Sequence, residues 1–101
     1  MAYEVRWSIL AKDDLKHIGA YISYDSPFQA SLILEKFLDL IPEYGLRPRA
    51  ATIVPELGDE RFRHKHVFNW RVIYEIFDGN KVIIIHAIIH NKKLFTGLKD
   101  R

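Results

Sequence analysis

The sequence predicts an α+β fold in which the order β-α-α-β-β-β builds one small sheet with an α-helical hairpin packed on one face. Three observations predict it. Residues 3–7 and 61–67 alternate in side-chain character, as half-buried strands do. Residues 8–41 repeat apolar side chains at helical spacing. The tight-turn sequence Asp78-Gly79-Asn80 separates two apolar runs in the last third of the chain.

Length and composition limit the class of protein. With 101 residues, 49% of them hydrophobic, the chain is expected to form one ordered domain over residues 1–101. The absence of cysteine excludes disulfides, thiolate metal sites and a cysteine nucleophile, and it fits a reducing cytoplasm. The first residues lack an apolar signal region, and the longest apolar run is less than half of the roughly 20 residues that a membrane span needs. We therefore expect a cytoplasmic protein without a membrane partner.

Charge is distributed unevenly along the chain. The net charge is +2, but acids outnumber bases up to residue 45 and bases outnumber acids beyond it. A basic half favours an anionic partner, either nucleic acid or an acidic protein segment. Chance is the alternative explanation, because short chains often carry such a skew.

The first half of the chain is predicted to hold one strand and two helices. Residues 3–7 form the strand, and Ser8 is placed to cap a helix. The apolar stripe of that helix consists of Ala11, Leu15, Ile18 and Ile22. Ser26-Pro27 ends this helix and starts a second one, because serine suits the capping position and proline the first turn. Pro42 is expected to close the second helix.

The second half is predicted to hold three strands. Residues 45–59 have the Gly and Pro content of a loop. Strands follow at residues 61–67, 70–77 and 81–90, and the last is apolar enough to be covered on both faces. Asp78-Gly79-Asn80 joins the last two strands, and its Asp-Gly pair tolerates the positive φ of a tight turn. The residues after 90 suggest a short helix or a loose tail.

Arg71 is the most unusual residue of these strands. It lies mid-strand among residues suited to burial, where a charge is costly unless it is paired or faces a cleft. One interpretation is an ion pair with Glu75 on the same face. The other is an arginine held rigidly to meet a phosphate or a carboxylate.

The neighbouring strand carries a basic ladder, which consists of Arg61, Arg63 and Lys65. Three like charges at this spacing repel one another unless an anion lies across them. Alternatively, they form the solvated face of an edge strand, where charge discourages unwanted pairing.

Three histidines offer weaker signals. His64 and His66 share the other face of this strand, but no further ligand completes a metal-binding spacing, so neither a metal nor a cofactor is expected. His86 lies within an apolar strand and is interpreted as a core histidine with a hydrogen-bond partner.

His90 ends the last strand and precedes Lys92 and Lys93. A histidine can exchange a proton near neutral pH, and adjacent lysines can stabilise a developing oxyanion. The alternative is a histidine that only bonds its own loop.

The order of elements and several local sequences resemble the ParE/RelE superfamily of type II toxin–antitoxin toxins. The resemblance covers residues 3–95. The motifs that carry it are Trp7-Ser8, Ser26-Pro27 followed by Ala30, Val54-Pro55-Glu56-Leu57-Gly58, Phe62-Arg63, Trp70-Arg71-Val72-Ile73-Tyr74, and Ile89-His90 before the lysines.

The resemblance implies a growth-inhibiting toxin that a cognate antitoxin neutralises. The antitoxin carries its own DNA-binding domain, so the toxin reaches operator DNA only through it. The basic residues of the chain predict an exposed cleft, faced by Arg71 and bounded by Arg63 and by residues 90–93, that meets the antitoxin or the target. The residues expected to bind there are Arg61, Arg63, Lys65, Arg71, Lys92 and Lys93.

Two branches of the superfamily differ in their target. ParE-like members inhibit DNA gyrase and do not cleave RNA. RelE-like members are mRNA interferases that cut messenger RNA on the ribosome; here that would require Arg71 as phosphate clamp and His90 or His64 as proton-transfer group. The Ser26-Pro27 turn, the loop around Glu56 and the strand-ending His90 are more similar to the ParE-like group.

The chain departs from the family pattern at three places. The arginine that follows the final histidine in the family is represented here by Lys92 or Lys93. ParE-like chains commonly have Glu-Leu after the arginine of the second strand, whereas His64-Lys65 follows Arg63 here. No tyrosine lies beyond Tyr74, which weakens the RelE-like interpretation. The sequence therefore favours gyrase as the target and leaves two alternatives: a ribosome-dependent mRNA endonuclease, or a degenerate toxin that only binds its antitoxin.

Overall fold

The computed structural model of the protein describes residues 2–98, which form one five-stranded sheet and three helices. The elements, in chain order, are β1 (Glu4–Trp7), α1 (Ile9–Asp25), α2 (Pro27–Asp39), α3 (Ile41–Leu46), β2 (Thr52–Ile53), β3 (Phe62–Val67), β4 (Trp70–Phe77) and β5 (Val82–His90).

The strands lie in the order β1-β5-β4-β3-β2. β1 runs parallel to β5, and the other neighbouring pairs are antiparallel. The three long strands therefore form the predicted meander, and β1 adds an edge beside β5. The α+β architecture predicted from the sequence is confirmed.

Both predicted helix caps are present. The Ser8 hydroxyl accepts the Ala11 amide at 3.0 Å, and the Ser26 hydroxyl accepts the Gln29 amide at 3.2 Å. Each bond satisfies a backbone N–H that the first helical turn leaves unpaired. Because Ser26 ends α1 and caps α2, the two helices follow each other directly, and they pack against one another.

The sheet buries side chains on both faces. We name the side of the sheet that packs under α1 and α2 the helix face. The most buried side chains of the core on this side include Phe37 from α2 and Tyr74, Ile83 and Ile85 from the sheet. We name the opposite side the loop face, because it is covered by the β2–β3 loop and the segment after β5. Its core consists of Val54, Phe62, Ile73, Ala87, Ile89 and Phe95. β5 contributes to both cores, which explains its nearly continuous apolar sequence.

Residues 41–59 contain two elements that the sequence did not predict, α3 and β2, and α3 extends only two residues into the predicted loop at 45–59. Pro42 lies in the first turn of α3, where a proline is tolerated, so it begins a helix instead of only closing α2. Gly45 ends up against β1: the Tyr3 amide donates to the Gly45 carbonyl at 2.9 Å, and a Cβ on Gly45 would lie 2.6 Å from the Tyr3 carbonyl oxygen. β2 adds a fifth strand beside β3.

In the hairpin turns, the residues with positive φ are not the ones that the sequence predicted. Positive φ falls on Phe68 (55°) and Lys81 (52°), and Gly79 does not need it. Residues 91–98 contain no α-helix, and residues 99–101 lie outside the described part of the chain. Among residues 2–98, no helix has the length and apolar character that a membrane span requires.

Candidate functional site

Arg71 lies on the loop face of β4 and is buried, with 4% of its side chain exposed. Its guanidinium forms a two-pronged ion pair with Glu56; Nη1 donates to Oε1 at 2.9 Å, and Nη2 donates to Oε2. Nη2 also donates to the Lys93 carbonyl at 2.9 Å. The sequence interpretation that paired Arg71 with Glu75 is therefore wrong. The partner of Arg71 is Glu56 in the β2–β3 loop, so the guanidinium is already paired with a carboxylate of the same chain.

Glu56 connects three parts of the chain. Besides Arg71 it accepts the Phe95 amide at 2.8 Å, and 18% of its side chain is exposed. Hydrogen bonding from Arg71, reinforced by the Phe95 amide, lowers the pKa of Glu56 to about 2 in spite of its burial. The pair therefore stays ionised at neutral pH. It fastens the β2–β3 loop and the segment after β5 over the loop-face core.

Glu75, the partner predicted for Arg71, pairs instead with His86. The His86 Nε2 lies 2.9 Å from a Glu75 carboxylate oxygen, and Arg61 approaches the other oxygen at 3.9 Å. The side chains of His86 and Glu75 are 13% and 9% exposed. The interpretation of His86 as a core histidine with a partner is confirmed.

The basic ladder does not act as one surface. Arg61 is exposed and paired with Asp59. Arg63 is buried and donates to the carbonyls of Glu60, Arg49 and Ala51 at 2.9, 3.2 and 3.1 Å. Lys65 is exposed. The predicted ladder is therefore wrong as a row of free charges, because Arg63 uses its charge to hold the chain between α3 and β3.

Arg63 and Arg71 also lie on opposite faces of the sheet. In the β3–β4 register Arg63 faces Tyr74 on the helix face, whereas Arg71 faces His66 on the loop face. The prediction that Arg71 faces a basic cleft bounded by Arg63 and by residues 90–93 is therefore wrong, because Arg63 lies on the other face. The cause is the short turn at Phe68-Asn69, which pairs Val67 with Trp70 and so fixes which residues share a face.

His64 and His66 lie beside Arg71 on the loop face, with ring centroids 4.8 Å apart. The Arg71 Nη1 lies 3.1 Å from His64 Nδ1, and because a guanidinium can only donate, Nδ1 is the acceptor. Burial, with further contributions from Arg71 and His66, lowers the pKa of His64. His66 is exposed and bonds Asn91 at 2.8 Å through Nδ1.

His90 lies on the helix face, because it pairs with Trp70 across β4 and β5. It borders an open cleft of about 370 Å³ that it shares with His17, Tyr21 and Trp70. Its Nδ1 accepts the Lys92 amide at 3.1 Å, so it bonds its own loop as the alternative interpretation proposed. His64 and Arg71 therefore meet on one face while His90 lies on the other, and the three candidate catalytic residues do not converge.

Lys92 and Lys93 follow His90 and keep exposed side chains. Only the Lys93 carbonyl takes part in the Arg71 network. The part of the chain from 2 to 98 contains no group of three His, Cys, Asp or Glu side chains that could hold a metal ion.

Sequence reasoning missed two features. Glu56 was recognised only as part of a motif, although a carboxylate placed directly between Pro55 and Leu57 was a usable signal for a buried partner of Arg71. The second feature is a groove of about 410 Å³ between α1 and α2. It is lined by Trp7, Lys12, Leu15, Lys16, Leu34 and Leu38.

Solved structures similar to this fold include toxins of toxin–antitoxin systems. A chain of the chromosomal ParDE system from P. aeruginosa is 16% identical with a TM-score of 0.70, and the match covers 88% of this chain and 96% of that one. A chain of the RelBE2 toxin–antitoxin complex from Mycobacterium tuberculosis is 17% identical with a TM-score of 0.65, covering 90% and 100%. A mutant of the E. coli toxin RelE in the free state is 17% identical with a TM-score of 0.67, covering 91% and 86%. At such identities the similarity concerns the fold.

The family is shown by a sequence model that covers most of the chain. No curated protein sequence matches the chain at a significant level. The family model described as ParE toxin of type II toxin–antitoxin system, parDE, matches residues 5–95. This span runs from β1 to Phe95, the residue that closes the loop-face core, and it confirms the resemblance predicted from the motifs. The chain belongs to the ParE toxin family of type II toxin–antitoxin systems.

Proposed function

We propose that this toxin inhibits growth by binding DNA gyrase and that it performs no chemistry of its own. The observation that carries the proposal is the separation of the candidate catalytic residues, with Arg71 on the loop face and His90 on the helix face. Membership of the ParE family supports the same target. The proposal requires a cytoplasmic location, where gyrase meets DNA.

RNA cleavage would need a cation and a proton-transfer group within reach of one phosphate. Arg71 already donates to Glu56 and to the Lys93 carbonyl. A phosphate could meet Arg71 only by displacing Glu56, which would leave that largely buried carboxylate without its counter-charge. His64 accepts from Arg71, so its Nδ1 is not available as a base. Binding is therefore better supported than cleavage.

Three exposed lysines are what the predicted basic binding residues still offer to an anionic partner. Lys65, Lys92 and Lys93 are exposed and form no ion pair within residues 2–98. Of the six binding residues predicted from the sequence, these three stay candidates for contact with the target or the antitoxin. Arg63 and Arg71 serve the chain's own structure.

The groove between α1 and α2 is the surface that best fits an antitoxin. Its floor and walls are apolar, and Lys12 and Lys16 lie along it. An amphipathic antitoxin segment with apolar residues on one face and acids beside them would match both properties. Toxin–antitoxin complexes such as RelBE2 are among the similar structures. Operator DNA would then be reached through the antitoxin's own DNA-binding domain.

The target is tested by two assays on the same purified toxin. We expect DNA supercoiling by gyrase to fall as toxin is added, with half-inhibition near stoichiometric toxin. In the second assay, primer extension on ribosomes programmed with messenger RNA should show no toxin-dependent cuts. Cuts on the ribosome together with undisturbed supercoiling would overturn the proposal and support the mRNA interferase alternative.

The antitoxin surface is tested by charge reversal in the groove. We expect the Lys12→Glu/Lys16→Glu double variant to weaken antitoxin binding by about tenfold or more, since each reversal turns an attraction into a repulsion. Lys36→Glu is the matched control, because Lys36 is exposed on α2 but does not line the groove. Equal affinities for both variants, measured by calorimetry, would exclude the groove as the antitoxin surface.

A further inference from the structure

Phe68 is an exposed aromatic residue at the tip of the β3–β4 hairpin. It has 59% of its surface exposed, and its φ of 55° lies in the left-handed region. Since β3 ends at Val67 and β4 begins at Trp70, the turn between them has only two residues. Such turns favour Gly, Asn or Asp at left-handed positions, and a bulky side chain there is a strained exception. Backbone strain of this kind is concentrated at functional sites, which makes Phe68 a candidate contact residue.

Asn91 fixes the conformation of this tip from the segment after β5. Its side-chain amide donates to the Phe68 carbonyl at 3.2 Å, and its backbone amide donates to the Asn69 carbonyl at 2.8 Å. Its side-chain oxygen lies 2.8 Å from Nδ1 of His66 in β3. Because three bonds from one residue hold the turn, the exposed Phe68 ring is carried by a pre-organised backbone, which lowers the entropy cost of binding.

The chain around the tip is basic. Residues 61–74 and 79–98 contain no Asp or Glu. Lys92 and Lys93 directly follow the asparagine that holds the turn, and both are exposed. Glu56, which reaches this segment from the β2–β3 loop, is already neutralised by its ion pair. A partner surface with acidic groups would therefore complement the charge beside the tip.

The cleft beside the tip favours a protein partner over a nucleic acid. Asn69, the second residue of the turn, lines the open cleft of about 370 Å³ together with Tyr21 and Trp70. Among the described residues, its lining includes no Lys or Arg, whereas nucleic acids are bound chiefly by neutralising many phosphates. An exposed aromatic side chain next to a cleft with tyrosine and tryptophan is typical of the centre of a protein interface.

We propose that Phe68 is an anchor residue through which the toxin binds its protein target. The ring enters an apolar pocket of the target, and Lys92 and Lys93 face acidic side chains that border this pocket. The inference rests on the proposed function and adds to it the chemistry of the surface that the toxin recognises. The anchor is separate from the groove between α1 and α2, because no residue of the hairpin tip or of the segment after β5 lines that groove.

Phe68→Asn tests the anchor, because asparagine tolerates positive φ and removes the ring. We expect half-inhibition of gyrase supercoiling to require about tenfold more of this variant than of wild type, or more. Its midpoint of thermal unfolding should equal or exceed that of wild type, since strain is relieved and more than half of the residue already meets solvent. Phe68→Tyr keeps an aromatic anchor and should inhibit at the same concentration as wild type.

Lys81→Asn is the matched control. Lys81 also has a positive φ, of 52°, but it lies in the turn before β5, at the opposite end of β4. The variant should relieve similar strain and leave inhibition unchanged. Equal inhibition by wild type and Phe68→Asn, or weakened inhibition by Lys81→Asn, would overturn the proposal. A midpoint of Phe68→Asn several degrees below that of wild type would also overturn it, because Phe68 would then serve the fold.

Growth arrest after induction in cells separates this inference from the proposed function, because it assumes no target. If wild type arrests growth but leaves gyrase unaffected, the proposed function fails. The anchor is then supported if Phe68→Asn no longer arrests growth, and it is excluded if this variant arrests growth like wild type.

Two binding measurements identify what Phe68 contacts. A labelled DNA duplex, without gyrase, should bind wild type and Phe68→Asn equally. Binding to wild type that is lost in the variant would overturn the protein assignment and make the ring a wedge between bases. The antitoxin should also bind both proteins with equal affinity, which shows that the variant is folded. Weaker antitoxin binding by Phe68→Asn would assign the residue to the antitoxin surface and overturn its role as target anchor.

Discussion

We expect the ion pair between Glu56 and Arg71 to contribute strongly to the free energy of unfolding, and Glu56→Gln tests this. Glu56→Gln keeps the size of the side chain and an oxygen that can accept the Phe95 amide, but it removes the charge that faces Arg71. The change leaves a guanidinium of which 4% is exposed without its counter-charge. Among residues 2–98 the buried Nε of Arg71 has no hydrogen-bond partner, so little remains there to compensate the loss.

The magnitude follows from the pKa of Glu56. The pKa falls from 4.5 to about 2. At about 1.4 kcal/mol per unit, the ionised carboxylate is stabilised by about 3 kcal/mol in the folded state. Breaking a buried pair usually costs ~3–5 kcal/mol. Because 18% of the Glu56 side chain meets solvent, we expect a loss near the lower end of that range.

The pH dependence has a definite sign. A carboxyl group whose pKa is lower in the folded state stabilises the protein above its unfolded pKa, and this contribution is lost as the pH falls through the folded value. The difference in unfolding free energy between wild type and Glu56→Gln should therefore be full at pH 7. It should shrink as the pH falls from about 4.5 towards 2.

Urea denaturation at pH 7 and pH 3 is the assay. Glu4→Gln is the matched control, because Glu4 and its partner Arg6 are 60% and 62% exposed and such pairs contribute little. The Glu56→Leu/Arg71→Met double variant should be more stable than Glu56→Gln, since it leaves no unpaired buried charge. A Glu56→Gln protein as stable as wild type at pH 7, or a stability difference that persists unchanged at pH 3, would show that this ion pair does not stabilise the fold.

Three further predictions concern separate parts of the structure. His64 should titrate in NMR with a pKa below 6.5 and carry its neutral-form proton on Nε2; titration at or above 6.5 would contradict its bond to the guanidinium. Ser8→Ala should destabilise the protein by about 1 kcal/mol in urea, because the first turn of α1 loses its cap, while Ser23→Ala, within the same helix, should not. Phe37→Ala should lower the free energy of unfolding by about 3–5 kcal/mol, because the side chain is buried. Phe28→Ala should change this free energy little, because Phe28 is 73% exposed, and equal losses for the two variants would argue against the described core.

Local patterns predicted most of the elements. Caps and turns depend on residues close in sequence, so Ser8 and Ser26 were recognisable as caps, and β4 begins and ends where its aromatic and β-branched residues do. α3 was missed because Pro42 was interpreted only as a helix end, although proline also suits a first turn. β2 is two residues long, which is too short for alternation to reveal.

The partner of Arg71 could not be read from local spacing. Glu56 lies 15 residues away in an irregular loop, and only the folded sheet brings the two together. The placement of Arg63 and Arg71 on opposite faces was easier to predict from the local sequence than the partner of Arg71. The short turn at Phe68-Asn69 sets the register, and the register alone places the two arginines on opposite sides. A basic cleft was predicted because basic residues were counted along the chain without assigning them to faces of the sheet through the strand register.

In the proposed function the toxin acts by binding, while Arg71 and His64 bond within the chain and His90 bonds its own loop. The most direct measurement compares wild type with the His64→Gln/His90→Gln double variant in the gyrase supercoiling assay, alongside primer extension on programmed ribosomes. We expect both proteins to inhibit supercoiling at the same concentration and neither to produce cuts. Wild-type protein that leaves supercoiling intact but cuts messenger RNA, with the cuts lost in the double variant, would contradict it.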